Sequence, residues 1–139
     1  MTSDATAVPA THLIVCVDDD LDMLAAIVRT LRNAAFTILQ TSDPLEALEW
    51  VTTRNVAVLV SDYDMPVMTG AELAIAVQRV RGETVRVLVT GRKAIELAPE
   101  LVFRCVHKPF DTLAFRRVVA EAVTRHTELV ASGARDCQT

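Results

Sequence analysis

The stretch of sequence that decides the fold is Val56-Ala-Val-Leu-Val-Ser-Asp62-Tyr-Asp-Met-Pro-Val-Met-Thr-Gly70. Its first five residues form an apolar run with the length and β-branched content of a strand buried on both faces. The run stops at acids, and Pro66 and Gly70 then mark a loop before a helical pattern begins. A buried strand that ends in carboxylates and leads into a helix is typical of parallel α/β proteins.

The same alternation recurs on both sides of that stretch. Apolar runs predict further strands at 12–17, 36–39, 85–89 and 102–107, and helical spacing of apolar residues follows them, with the last helix starting near Asp111. Five such units predict a doubly wound parallel sheet in three layers, with helices on both faces. We expect one domain at 11–130, between a flexible N-terminal segment at 1–10 and a flexible C-terminal tail at 131–139.

Composition limits the function classes. The net charge of −4 argues against nucleic-acid binding, and no apolar stretch reaches the roughly 18 residues of a membrane span. The first ten residues lack the basic group and apolar core of a secretory signal. The three cysteines, Cys16, Cys105 and Cys137, show no CxxC spacing, which favours a reduced, cytoplasmic location.

Polar residues follow four of the predicted strands. Asp18-Asp19-Asp20 follows the first strand, Asp62 the third, Thr90-Gly91 the fourth and Lys108-Pro109 the fifth. Because the carboxyl ends of parallel strands share one edge of the sheet, these groups are expected to converge there. Each acid alone is better explained as a helix cap or a solvated surface group, so the prediction depends on the joint arrangement at four strand ends.

Such a cluster predicts a chemistry. Carboxylates packed together repel one another, so Lys108 and a hard divalent cation are expected among them. Mg²⁺ prefers oxygen ligands and retains several waters. Metal and ammonium can neutralise phosphoryl oxygens while a carboxylate acts as nucleophile, so the site suits phosphoryl transfer.

From His12 to Thr127 the chain resembles the receiver domain of two-component response regulators. The resemblance depends on four motifs in order: Val17-Asp-Asp-Asp20, Ser61-Asp-Tyr-Asp-Met-Pro-Val-Met-Thr-Gly70, Thr90-Gly91 and Lys108-Pro-Phe110. It implies a flavodoxin-like fold of five strands in the order 2-1-3-4-5.

The resemblance also implies roles for individual residues. Asp62 would accept the phosphoryl group, and Thr90 and Lys108 would bind it. Asp19 would ligate Mg²⁺ directly and Asp18 largely through water. The backbone carbonyl of Asp64 would be a further metal ligand.

The implied activity is signalling in a phosphorelay. The donor would be a phosphohistidine on a sensor histidine kinase or a histidine phosphotransfer protein, and a conformational change would reach an unknown downstream protein effector. The domain would catalyse only its own phosphorylation and dephosphorylation, without nucleic-acid or membrane binding through this domain. The sequence leaves open the cognate kinase, the pathway and the oligomeric state, including a homodimer.

Three features depart from the family pattern. Cys105 stands where the family usually has a switching aromatic residue, and Phe103 is considered as its substitute. Pro99 limits the fourth helix to a stub from Lys93 to Ala98. Asp64 and Arg92 are expected to pair across the mouth of the site, which leads to the hypothesis of slow self-dephosphorylation.

Two alternatives stay open at this point. One is a degenerate receiver that binds a partner without phosphorylation; the presence of all five site residues argues against it, but Cys105 and the short fourth helix keep it open. The other is a Mg²⁺-dependent phosphatase with an Asp nucleophile, suggested by the D-x-D spacing of Asp62 and Asp64. Against the phosphatase, the chain is short for a substrate cap, and Met65-Pro66 follows where a Thr is expected.

Overall fold

The computed structural model describes residues 11–92 and 97–137, with side chains described as far as residue 133. Its centre is a five-stranded parallel sheet in the order β2-β1-β3-β4-β5. The predicted doubly wound sheet and its strand order are confirmed. The strands are β1 (His12–Val17), β2 (Phe36–Thr41), β3 (Val56–Asp62), β4 (Val85–Thr90) and β5 (Arg104–His107).

Four helices lie within the described residues: α1 (Leu21–Leu31), α2 (Pro44–Thr53), α3 (Gly70–Val80) and α4 (Thr112–Cys137). The first three begin after side-chain caps, at Asp20, Asp43 and Thr69, that accept backbone N–H groups left free at a helix start. The helix predicted from Lys93 to Ala98 falls largely on 93–96, outside the described residues. None of the helices described combines the length and hydropathy that a membrane span requires.

Two predicted boundaries differ from the structure. β5 begins at Arg104 rather than at residue 102, because the N–H groups of Leu101 and Val102 both bond the Ala98 carbonyl in a turn. α4 continues to Cys137, past the domain end predicted at residue 130. Residues beyond 130 include alanine and arginine, which are good helix formers, and no proline. The flexibility of the two ends stays a prediction, and 1–10 and 138–139 lie outside the described residues.

Apolar side chains fill both faces of the sheet. One cluster packs under α1 and α4 and includes Ile27 and Phe115, and the other packs under α2 and α3 and includes Val51 and Leu73. Cys16 lies in the first cluster with no exposed surface, and its burial raises the pKa of the thiol to about 12. The two packed faces leave the carboxyl ends of the strands as the polar edge of the domain.

Candidate functional site

Three carboxylates meet where β1 and β3 end. Oxygen atoms of Asp18, Asp19 and Asp62 lie within 4.8 Å of one another. Asp18 has no exposed surface and Asp62 is 6% exposed, whereas Asp19 faces solvent. The parallel pairing of β1 with β3 brings these strand ends side by side, as the sequence predicted.

Lys108 places its ammonium group between two of these acids. Its Nζ lies 3.0 Å from Oδ1 of Asp62 and 3.4 Å from Oδ2 of Asp18. Burial alone would lower the pKa of Lys108, but the hydrogen bond to Asp62 and the charges of both acids outweigh it, so the pKa is raised. Lys108 is therefore a permanent cation at neutral pH.

Asp18 carries a charge that the protein only partly compensates. Burial raises the pKa of this carboxyl, as does the nearby charge of Asp62, whereas the N–H of Asp20 and the ammonium of Lys108 act in the opposite direction. The net effect is a raised pKa. One ammonium is therefore not enough for this group of acids.

Thr90 is the last residue of β4, which lies between β3 and β5 in the sheet, and it is fully buried. Its Oγ1 accepts a hydrogen bond of 2.9 Å from the N–H of Arg92, and its carbonyl accepts one of 2.7 Å from the N–H of Lys108. Because the hydroxyl oxygen already accepts a bond, its own proton is available for a neighbouring acceptor.

Asp64 and Arg92 form a bidentate pair at the mouth of the site. Arg92 Nη2 lies 2.7 Å from Oδ1 of Asp64, and Nε lies 3.0 Å from Oδ2. The hydrogen bond with Arg92 lowers the pKa of the Asp64 carboxyl. The guanidinium of Arg92 also lies 5.3 Å from the centre of the Tyr63 ring, a contact that no sequence motif predicts. The predicted pairing of Asp64 with Arg92 is confirmed.

The loop after Asp62 is held by close backbone contacts. Gly70 donates its N–H to the Tyr63 carbonyl at 2.7 Å, and the hydroxyl of Ser61 donates to the Asp62 carbonyl at 2.9 Å. A Cβ atom on Gly70 would clash with that same carbonyl oxygen. Glycine at this position therefore allows α3 to start directly against the backbone of Asp62.

The donor set fits a hard divalent cation. All three clustered groups are carboxylates, and Asp19 is open to solvent, which suits an ion that keeps several waters. The Asp64 carboxylate turns to Arg92 and is not part of the cluster. The predicted ligation through the Asp64 backbone carbonyl stays a prediction.

Comparison with known proteins identifies this arrangement. The family model for the response regulator receiver domain matches residues 14–120, which is most of the chain. The chain belongs to this family. The Salmonella typhimurium phosphoglycerate transport system transcriptional regulatory protein PgtA is 25% identical to the receiver over 122 residues, 85% of this chain and 29% of that protein.

A second relative has the same kind of name. The Rhizobium meliloti C4-dicarboxylate transport transcriptional regulatory protein DctD is 30% identical over 109 residues, 76% of this chain and 23% of that protein. The receiver thus spans less than a third of the length of these two relatives. A CheY-like receiver from Methanospirillum hungatei matches its fold with a TM-score of 0.78 at 19% identity, over 86% of this chain and 98% of that one.

Cys105 and Phe103 pack on opposite faces of the sheet. Cys105 packs with Leu88 and Tyr63 on the α3 side of the sheet, whereas Phe103 packs against the cluster under α1 and α4. Phe103 therefore does not replace an aromatic residue at position 105. The Phe103 ring instead lies under the guanidinium of Arg104, whose Cζ atom is 4.3 Å from the centre of the ring.

Proposed function

We propose that this receiver accepts a phosphoryl group on Asp62 from a phosphohistidine, with Mg²⁺ held by Asp18, Asp19 and the backbone carbonyl of Asp64 beside Asp62 itself. The donor would be a sensor histidine kinase or a histidine phosphotransfer protein. The phosphorylated receiver would act on a protein effector in the cytoplasm, and it would catalyse no reaction other than its own phosphorylation and dephosphorylation.

The position of Lys108 is the observation that carries this proposal. Its ammonium lies within hydrogen-bonding distance of Asp62 and close to Asp18, where it can pair with added phosphoryl oxygens. A purely structural lysine would compensate a single acid, but three clustered carboxylates exceed its charge. The excess negative charge supports a divalent cation as the missing partner.

The chemistry follows from the same groups. An oxygen of Asp62 attacks the phosphorus atom, the P–N bond to the donor imidazole breaks, and its electron pair stays on the nitrogen, which takes up a proton. Lys108 then pairs with a phosphoryl oxygen, and the hydroxyl of Thr90 donates to another. When bound, Mg²⁺ supplies positive charge that offsets the charge of the phosphoryl oxygens.

A second candidate is a receiver that signals by binding alone. It is favoured by Cys105, because a thiol cannot perform the rotation of an aromatic ring between two packed positions. Under this alternative the acids and Lys108 would persist as a folded polar cluster without accepting phosphate.

Intact-mass measurement after incubation with Mg²⁺ and acetyl phosphate tests the proposal. The expected result is one added phosphoryl mass in the wild type and none in Asp62→Asn. Asp43→Asn is the matched control, because Asp43 is an exposed cap of α2 that is not one of the three clustered acids, so its substitution should leave the adduct unchanged. Circular dichroism verifies that both variants fold.

The outcomes separate the candidates. An adduct that persists in Asp62→Asn contradicts Asp62 as the acceptor. A wild type that shows no adduct with acetyl phosphate or with a phosphorylated histidine kinase overturns the proposal in favour of the binding-only receiver. Continuous release of phosphate from added phosphate esters would instead indicate a phosphatase.

A further inference from the structure

The two edges of the sheet differ in how they are protected. β5, at one edge, has four residues and carries Arg104 and His107. β2, at the other edge, has six residues, Phe36-Thr-Ile-Leu-Gln-Thr41, and contains neither charge nor proline. Edge strands usually carry charged residues or proline, because an unprotected edge offers unpaired N–H and C=O groups to another strand. No element among 11–92 and 97–137 pairs with the outer side of β2.

A groove runs between β2 and the flank of α1. Two adjoining cavities of about 240 and 250 Å³ open along it and share Val28, Arg32 and Gln40 as lining residues. The floor is apolar, with Val28 buried and Phe36 and Ile38 half-buried against the core. Such a floor beside an open strand edge is suited to another segment of protein.

The flank of α1 above the groove carries charge of both signs. Asp22, Ala25, Arg29 and Arg32 follow one another at three- and four-residue spacing, so they lie on one side of the helix. All four are exposed, and none of the three charged side chains makes an ion pair within the described part of the chain. The acid lies near the start of the helix and the two arginines near its end.

We infer that two copies of this chain pair through β2 as antiparallel strands, related by a two-fold axis perpendicular to the sheet. Neighbouring strands lie about 5 Å apart. Because α1 lies over β1 and β2, the α1 helices of the two copies come to about 10 Å from each other. That distance equals the usual spacing of packed helices. The two sheets then form one continuous sheet of ten strands, and each α1 packs against its partner.

The charges of α1 are self-complementary under this symmetry. Two antiparallel α1 helices place Asp22 of each copy opposite Arg29 and Arg32 of the other, with the small side chain of Ala25 near the middle. A two-fold interface requires such self-complementarity. A wholly acidic partner fits less well, because Asp22 would repel it on the same flank.

The opposite face of the sheet supplies a spectroscopic probe. Glu46 accepts a hydrogen bond from Thr41 at the end of β2, which places this flank of α2 towards the strand. Trp50 lies one turn further along the same flank, is half-buried and is the only tryptophan of the chain. Pairing of β2 with a second copy would bring Trp50 towards the seam, so its fluorescence should depend on protein concentration.

Sedimentation equilibrium and light scattering of the unphosphorylated full chain test the inference. The wild type should form a dimer, and the double variant Arg29→Asp/Arg32→Asp should dimerise at least about tenfold more weakly, as should Asp22→Arg. Mixing these two variants should restore a heterodimer, because the exchanged charges then oppose each other correctly. Gln40→Lys, which places a charge on the edge strand, should also weaken the dimer.

A charge-matched control comes from the other helices. Arg54 and Arg79 are exposed and make no ion pair among the described residues, so Arg54→Asp/Arg79→Asp should leave the dimer intact. A wild type that stays monomeric at millimolar concentration overturns the inference and leaves the groove to another occupant. A dimer that tolerates the α1 and Gln40 substitutions also overturns it, since its interface must then lie elsewhere.

Discussion

The two ends of the sheet accommodate buried charge in different ways. Asp62 and its neighbours lie where the strands end, whereas Arg86 lies near the start of β4 and is only 8% exposed. The guanidinium of Arg86 has no carboxylate partner among the described residues, and burial lowers its pKa. It donates instead to four backbone carbonyls, those of Gly82, Thr84, Glu100 and Leu101.

This difference separates a structural charge from one suited to ligand binding. At the Arg86 end the backbone supplies acceptors for most of the guanidinium N–H groups, so nothing further is required. At the Asp62 end three carboxylates share one ammonium group, and acceptor capacity is left over. The satisfied charge joins two loops, and the unsatisfied cluster is suited to a cation and a phosphoryl group.

Removing the satisfied charge should have the largest effect on stability. We expect Arg86→Met to lower the free energy of unfolding by about 2–4 kcal/mol, because it leaves several loop carbonyls without a donor. Urea denaturation measures this change. Arg79→Met, on the exposed side of α3, is the control and should leave the midpoint nearly unchanged. If Arg86→Met were as stable as the control, the Arg86 contacts would not have the structural role that separates this end of the sheet from the Asp62 end.

Neutralising an acid of the cluster should have a smaller effect, and one of opposite sign. Without Mg²⁺, Asp18→Asn should raise the free energy of unfolding at neutral pH by about 1 kcal/mol, because it removes an incompletely compensated buried charge. The amide oxygen can still accept the N–H of Asp20. With excess Mg²⁺ the wild type should gain stability and the variant much less. Thermal melts with and without Mg²⁺ measure both; a variant less stable than the metal-free wild type contradicts this prediction.

The pH dependence of the same wild-type group has a definite sign. Because the folded pKa of Asp18 is raised above 3.8, the folded state binds its proton more tightly than the unfolded chain does. The contribution of this group to stability therefore falls as pH rises from 3.8 through the folded pKa. Lys108, with a pKa raised above 10.5, stabilises the fold below 10.5 and loses that contribution as pH rises through its folded pKa.

The exposed pair at the mouth should affect stability least. Arg92→Ala should leave the melting temperature unchanged but speed the loss of phosphate from the phosphorylated receiver, because Arg92 and Asp64 hinder water at the site. Phosphate release is followed after removal of the donor, with Arg54→Ala as an exposed control. Equal rates for the wild type and Arg92→Ala would exclude a shielding role for the pair.

Features that depend on strand direction could be predicted best from the sequence. The apolar run 12–17 matches β1 residue for residue, since a strand buried on both faces leaves a continuous hydrophobic signal. Once the sheet is parallel, Asp18, Asp62 and Lys108 must follow strand ends at one edge. Their approach to hydrogen-bonding distance is therefore largely determined by topology.

Local side-chain contacts were predicted less well. The D-x-x-E spacing of Asp43 and Glu46 predicts a capping box. In the structure the Glu46 carboxylate instead accepts the Thr41 hydroxyl, and the Asp43 N–H donates to that same hydroxyl oxygen. A capping box does form at Thr69 and Glu72, which have the T-x-x-E spacing typical of this motif. The competing hydroxyl belongs to Thr41 at the end of β2, so the sequence of α2 itself does not indicate it.

The Arg86 contacts had no usable sequence signal. An arginine within an apolar strand suggests an exposed edge position. Its partners are instead carbonyls of two loops, one reaching four residues before Arg86 and the other fifteen residues after it along the chain. Backbone acceptors are present at every residue, so spacing cannot single them out. The orientation of Phe103 likewise depends on where β5 begins, which was misplaced by two residues.

Because Cys16 is completely buried, its thiol should not react with reagents in solution while the domain stays folded. A thiol with a pKa of about 12 is almost wholly un-ionised at neutral pH, and alkylating reagents react with the thiolate. Cys16 lies in the central strands, so a reagent reaches it only when the domain opens as a whole. The rate at which Cys16 is alkylated, resolved by peptide mass from the half-buried Cys105, would therefore count global opening events without any denaturant.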